Sequence, residues 1–386
     1  MRASSYLALL AAGLISACAS APPPIDTPPK ALLVDALFGP PGEHISTADV
    51  FAVSEAMKRY LALDIADQLR VKGPQVGLID ALYVKSQLKL EYDGTRTKTA
   101  AEAFASRSGN CLSLVIMTAA FAHQLELPVV YQSAYLDPTW SRTDDILYAS
   151  GHVNVTVGRR IMDARTARDL SPLTIDFLPP ADLDRMQTRE ISEATVLAMY
   201  DNNRAAEALS RAKLNDAYAW AVDALKNDPT FLGAYNTLGV IYMRRGAITD
   251  AAHVFDFVLA RAPKNTQALA NMAETYDRLG RAAEAGALRV RLAAIESDPP
   301  FYFFNLGLEA MRRADYVAAR DYFSREVGRA DYYHEFHFWL GLADWHLGDV
   351  AQAQRQLELA IDASTTRNQH DLYAAKLEWL QAHRQQ

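Results

Sequence analysis

The stretch Leu232–Asn265, LGAYNTLGVIYMRRGAITDAAHVFDFVLARAPKN, decides how the second half of the chain is built. Apolar residues at helical spacing lie on either side of Gly246, and the small residues return at fixed intervals. Ala217, Ala251, Ala285, Ala319 and Ala353 are each 34 apart; the same step links Gly239, Ala273, Gly307 and Gly341, and again Gly246, Gly280, Ala314 and Gly348. Three small-residue registers in phase predict stacked helix pairs, because two backbones approach closely only where side chains are tiny.

With Tyr235, Leu238, Gly239, Tyr242, Gly246, Ala251, Phe255 and Pro263 at its fixed positions, the unit resembles the tetratricopeptide repeat. About five such units fit residues 198–386, an all-α solenoid. The first and the last two are the weaker units, and Arg289 replaces the large apolar residue found at Phe255, Phe323 and Leu357. The tail from Gln369 to His383, with Leu372, Ala375, Leu377, Trp379 and Leu380, predicts an amphipathic capping helix. The resemblance implies a concave surface, made by the first helix of each unit, that grips an extended peptide. Packing against the rest of the chain, or self-association, is equally compatible with the fold. The aromatic run Tyr302, Phe303, Phe304, Tyr332, Tyr333, Phe336, Phe338 and Trp339 reads mostly as core, with a few residues available to line a groove.

At the other end, Arg2 precedes an apolar run, Tyr6 to Ile15, too short to span a bilayer as a mature helix. Residues 1–17 read as a signal peptide. Ile15-Ser16-Ala17-Cys18 resembles a bacterial lipobox, which implies a lipid on Cys18; an ordinary secretory signal with an incidental cysteine is the plainer alternative. Ala19 and Ser20 lack the aspartate that resembles an inner-membrane retention signal, so the expected location is the cell envelope, at the outer membrane facing the periplasm. Residues 18–30 are dense in proline and read as a semi-rigid tether. The chain has two cysteines, so a lipidated Cys18 leaves Cys111 no second cysteine for a disulfide.

The whole chain, 386 residues and 50% hydrophobic, can bury a large core and is long enough for two or three domains. A formal net charge of −7 and the absence of a basic stripe speak against nucleic acid as a partner.

In residues 31–189 the 34-residue step disappears and the pattern turns mixed, α+β. Ser46 is expected to cap a helix running to about Val71, and Val76 to Tyr92 predicts another. Thr99 to Ala105 reads as a short helix leading into Ser108-Gly109-Asn110-Cys111. Leu112 to Leu127, apolar almost all round and stopped by Pro128, reads as a buried central helix. Asn110 is a good N-cap, which puts Cys111 at the first helical position, where the dipole and open N–H groups favour a thiolate. Val129 to Tyr135 reads as a strand, and Gly151 to Val157 alternates with its three valines on one face and His152 with Asn154 on the other. A two-residue turn at Gly158-Arg159 would pair Arg160 with Val157, Met162 with Val155 and Asp163 with Asn154, bringing Asp163 beside His152.

A thiol, an imidazole and a carboxylate are the parts of nucleophilic catalysis. Thr99-Ala100-Ala101-Glu102, then Arg107-Ser108-Gly109-Asn110-Cys111-Leu112-Ser113-Leu114, Gly151-His152 and Asp163 resemble the transglutaminase-like superfamily of papain-related enzymes. That resemblance, over about 70 residues, implies Cys111 as nucleophile, His152 as base and Asp163 as orienting acid. A small buried core cysteine is the bland reading of Cys111. Attack on an amide carbonyl would form a thioester resolved by water, as in a peptidase or amidase, or by an amine, as in a transglutaminase; periplasmic placement and the lack of a calcium-loop signature favour water. The rival is a catalytically silent adaptor that scaffolds envelope proteins. No cofactor and no metal are assigned: His123 and His253 read as packing or surface residues, and His334 and His337 lack further ligands at zinc-like spacing.

Overall fold

The structure, a computed structural model, describes residues 25–43, 45–83, 88, 90–94, 96–143, 146–158, 172–175, 187–295, 298, 301–364 and 367–382. Cys18 and Asp163 lie outside the described residues.

The first helices are short. Helix α1 spans Glu55–Arg59, a π-helical turn follows at Tyr60–Asp64, then α2, Ala66–Lys72, and α3, Pro74–Tyr83. The long helix expected from Ser46 does not form, because the cap is Ser54, whose side chain accepts from the Met57 N–H. Ahead of it Val50 is drawn into the core, and its carbonyl accepts the Ala100 N–H at 2.9 Å instead of continuing a helix. Nor does α3 reach Tyr92: Glu91–Tyr92 is strand β1, paired in parallel with β2, Ser108–Gly109. Helix α4, Ala100–Ser106, carries a Thr99/Glu102 capping box, and α5 spans Cys111–Gln124. Every α5 residue from Leu112 to Ala122 is buried, as the all-round apolar pattern requires.

Strands β3, Val129–Thr143, β4, Ile146–Val157, β5, Leu173–Ile175, and β6, Gln187–Ile191, form an antiparallel sheet in the order β5-β4-β3-β6. Ile175, Val155, Tyr131 and Ile191 face one another across its four strands. Val153, Val155 and Val157 are buried in the same core as α5, and Gln75 of α3 donates to the Val157 carbonyl at 2.7 Å. The turn expected at Gly158-Arg159 runs into residues outside the described ones, Arg159, Arg160 and Met162 among them. Among the described residues Val157 pairs with Leu173 and Val155 with Ile175 on one edge of β4, while β3 occupies the other. A period-2 pattern specifies a strand's faces and leaves open which later segment fills its edge.

Ser192 caps α6, Glu193–Ser210, which follows β6 directly. There follow α7, Leu214–Asn227; α8, Leu232–Arg245; α9, Ile248–Arg261; α10, Thr266–Arg278; and α11, Ala282–Ile295. The remainder are α12, Tyr302–Arg312; α13, Tyr316–Arg329; α14, His334–His346; α15, Val350–Asp362; and α16, Arg367–Ala382. Helices α6 to α15 pair in sequence, first with second, to make a repeat array consistent with a tetratricopeptide solenoid. The 34-residue period has a steric cause. A Cβ at Gly239 of α8 would lie 2.5 Å from the Phe255 ring of α9, and Gly307 meets Phe323 in the same way. Arg289 of α11 offers no such ring; it turns outward to pair with Asp277. The core that begins in the N-terminal part ends at Leu288, and a separate one starts at Phe301. Phe301, at φ 62°, opens α12 under the buried Glu326, which accepts the N–H groups of Phe301, Phe303 and Phe304. Helix α16 closes the array, with Leu380 packed against Leu357 and Trp379 edge-on to Trp345. Among the described residues no helix is long and apolar enough to cross a membrane.

Residues 32–43 form a strap across the first two repeats. Tyr242 Oη donates to the Leu32 carbonyl at 2.8 Å and accepts from the Val34 N–H at 2.9 Å. Phe38 stacks on Tyr218 with centroids 4.0 Å apart, and Tyr218 Oη donates to Asp35 at 2.7 Å. Glu43 receives Trp220 Nε1 at 2.6 Å and Arg204 at 3.3 Å.

Candidate functional site

Two candidate sites lie on different parts of the chain. The first is the start of α5. Asn110, at ψ 173°, is extended, so its Oδ1 turns back to accept the Ser113 N–H at 2.9 Å and the Ser113 hydroxyl at 2.8 Å. This is the cap the sequence predicts, and it puts the half-buried Cys111 at the first helical position. Gly109 is required just ahead of it, since a Cβ there would meet Ser113 Cβ at 2.7 Å. Lys98 braces the loops on either side: Nζ donates to Asp93 at 2.8 Å and to the Ser108 hydroxyl at 2.7 Å. His152 has its backbone in β4 opposite Ala134, and β4 packs against α5. Cys111 and the His152 backbone therefore belong to adjoining elements, and Asp163 lies outside the described residues. A cavity of about 620 Å³ beside the π-helical turn is lined by Tyr60, Asp64, Phe104 and Arg107 among others, and Cys111 is not in its walls.

The second is a groove of about 630 Å³ on the repeat array, lined by Asn305, Leu308, Glu309, Met311 and Arg312 of α12 and by Trp339 of α14. Asn305 and Trp339 are one 34-residue period apart, so they occupy the same position on the first helices of successive repeats. Of the aromatic run singled out in the sequence, Phe303, Phe304 and Phe336 are buried, whereas Trp339 lines the groove. An indole, two flexible apolar side chains, an amide and one charge of each sign can hold an extended segment, apolar contacts supplying affinity and the amide matching a peptide group.

Titratable groups inside the array are displaced by burial. Asp201 of α6 is fully buried and pushed up to about 8, with Asn227 donating to one of its oxygens at 2.8 Å. Asp344 is pushed up to about 6 by burial and then by Asp349. His334 is pushed down to about 4 by burial and then by His337. The two histidines three apart are engaged by the protein itself, His334 with Tyr373 at 2.7 Å and His337 with Gln356 at 2.7 Å and the Asp331 carbonyl at 2.6 Å. Asp201 and Asp344 were missed by the sequence reading; their signal was a charge in a helix register that is not charged in other repeats.

No protein-family model matches the chain, and no curated protein matches it. Among solved structures it is similar to YrrB, a tetratricopeptide protein with an unusual peptide-binding site, at 19% identity over 46% of this chain and 92% of that one, with a TM-score of 0.25. A thermophilic tetratricopeptide protein of Thermus thermophilus is similar at 16% identity over 47% and 98%, TM-score 0.30. The pilF protein of Pseudomonas aeruginosa is similar at 18% identity over 50% and 86%, TM-score 0.30. The chain's own period and helix packing, rather than these likenesses, identify the repeats.

Proposed function

We propose that this protein is a repeat-based scaffold that holds an extended segment of a partner protein across α12 and α14. The observation that carries the reading is the groove with Trp339 on one helix and Leu308 and Met311 on the other. Half-buried apolar and aromatic side chains that line a concavity are what peptide recognition needs. A random peptide library displayed on phage tests it. Wild-type protein enriches binders whose titration changes indole fluorescence, and Trp339→Ala loses them while keeping its helical circular dichroism. Enrichment that is equal on wild type and Trp339→Ala overturns the groove.

The second reading is a thiol enzyme at Cys111, a cysteine hydrolase or acyltransferase of transglutaminase-like type with His152 as base and Asp163 as orienting acid. What favours it is a half-buried thiol at the first turn of a buried helix behind an Asn110 cap. Its test is iodoacetamide alkylation of Cys111 against pH, with and without His152→Ala. A midpoint well below the ordinary thiol value of about 8.5, lost in the mutant, supports it; a midpoint unmoved by the mutation overturns it.

Lipid attachment at Cys18, with the tether of residues 18–30 leading to the strap, would hold either machine at the outer membrane facing the periplasm. Loss of membrane-fraction protein in Cys18→Ser is the expected result, and unchanged fractionation overturns the anchor.

A further inference from the structure

Helix α6 opens the repeat array, yet it carries charge where its successor carries core. Asp201, Arg204 and Glu207 stand one 34-residue period ahead of Tyr235, Leu238 and Ile241, the fully buried apolar residues of α8. Asp201 and Arg204 are themselves buried, and the Glu207 side chain is 16% exposed. Among the described residues no earlier repeat covers this face of α6; it meets the loop ahead of α5 and the strap. Polar groups withdrawn from water persist where partners are fixed for them.

The partners form a continuous chain to the start of α5. Arg204 Nη1 donates to Glu207 Oε2 at 2.7 Å, and Glu207 Oε1 accepts the Thr97 backbone N–H at 2.6 Å. Thr97 Oγ1 accepts from Asn110 Nδ2 at 2.9 Å, and Asn110 Oδ1 in turn accepts the Ser113 N–H at 2.9 Å. The neighbouring Lys98 N–H is given to the Ser113 hydroxyl at 2.8 Å. Thr97 is 1% exposed and Ser113 is fully buried, so water has little access to replace a missing member. The amide plane of Asn110, and through it the first turn that presents Cys111, is thereby oriented by a carboxylate on the repeat array.

We propose that Glu207 is a positioning residue of the Cys111 site, so that the site is complete only with the first repeat helix in place. This rests on the thiol reading above. The bond that matters is the one from the Thr97 N–H, since it is the link by which the carboxylate joins the chain of bonds to the thiol's helix. A neutral acceptor at position 207 therefore preserves the site, and a missing acceptor does not.

The test uses the full chain carrying Cys18→Ser, so that iodoacetamide reports Cys111 alone, with Glu207→Ala, Glu207→Gln and Thr97→Val compared. Glu207→Ala and Thr97→Val are expected to raise the midpoint of the alkylation profile by about one unit, about tenfold less thiolate at neutral pH, whereas Glu207→Gln keeps the wild-type profile. Hydrogen exchange of the Ser113 amide accelerates in the first two variants and not in the third. Tyr242→Phe, which loosens the strap without touching the chain of bonds, leaves both readouts in place. An unchanged midpoint and unchanged Ser113 exchange in Glu207→Ala and Thr97→Val overturn the proposal, as does an equal shift in Tyr242→Phe, which would mean general loosening. The thiol reading fails separately: a wild-type midpoint at about 8.5 removes the activated nucleophile, while Ser113 exchange still reports whether Glu207 holds the turn.

Discussion

At Gly239 one methyl group separates two opposed effects. Alanine is the better helix former by about 1 kcal/mol, but here its Cβ would enter the Phe255 ring at 2.5 Å. Overpacking of this kind costs about 1–3 kcal/mol, so Gly239→Ala is expected to lower the thermal midpoint. Gly286 of α11 has nothing within 4 Å of its would-be Cβ, so Gly286→Ala is expected to raise it by the propensity gain alone. Calorimetry on the pair checks the steric account of the period. Asp201 makes a different residue-scale prediction. Its folded value, about 8, lies above the ordinary value of 3.8, so the folded protein keeps a proton that the unfolded chain has lost. Its contribution is fully present below about 4 and is lost as pH rises through about 8. Asp201→Asn should flatten the fall in urea-unfolding midpoint between about pH 5 and about pH 8.5; an unaltered slope would remove Asp201 as its source.

At the scale of elements, the parts read correctly from sequence were those set by local spacing. Asn110 before Leu112, Thr99 before Glu102 and the all-round apolar run to Ala122 each specify their structure with residues close in the chain. What failed depended on distant partners. Ser46 has the chemistry of a cap, but the Ala100 N–H, about fifty residues away, takes the Val50 carbonyl. The pairing of Leu173–Ile175 with β4 was not foreseen either, because so short a strand has too few residues to show a period. For the candidate site, Cys111 and its cap were legible, whereas Glu207 was hidden inside what looked like an imperfect repeat. The capping helix yields a pH prediction. His334 of α14 bonds to Tyr373 of α16 and is held at about 4, below its ordinary value of 6.5. Its stabilisation is present above about 6.5 and is lost as pH falls toward about 4, since the unfolded chain takes up the proton first. Asp344, on the same helix and raised to about 6, acts in the opposite sense over its own window. His334→Phe should therefore remove the acid loosening of α16, read as the change in emission when Trp379 leaves Trp345; acid loosening equal to wild type would discard the histidine.

At the scale of the molecule, the strap and α6 join the sheet and the repeats through one buried core. Tyr242→Phe deletes both strap bonds at Leu32 and Val34, a loss of about 1–3 kcal/mol. Faster proteolysis within residues 32–43, with the array resistant, is expected; cleavage at the wild-type rate would show that Phe38 and Glu43 hold the strap unaided. For the same reason, truncation after residue 191 is expected to leave an unstable fragment, because Thr97 and Glu43 lose their acceptors and donors on α6 and α7.

The strap also bears on the order of events during synthesis. Leu32 leaves the ribosome some 210 residues before Tyr242, the side chain that receives it. Contacts of such long sequence separation close late and slowly. The nascent amino-terminal half must therefore wait, undocked, until the second repeat has emerged, and in that interval the strap side chains that will be covered, Phe38 among them, are open to chaperones or to misassembly.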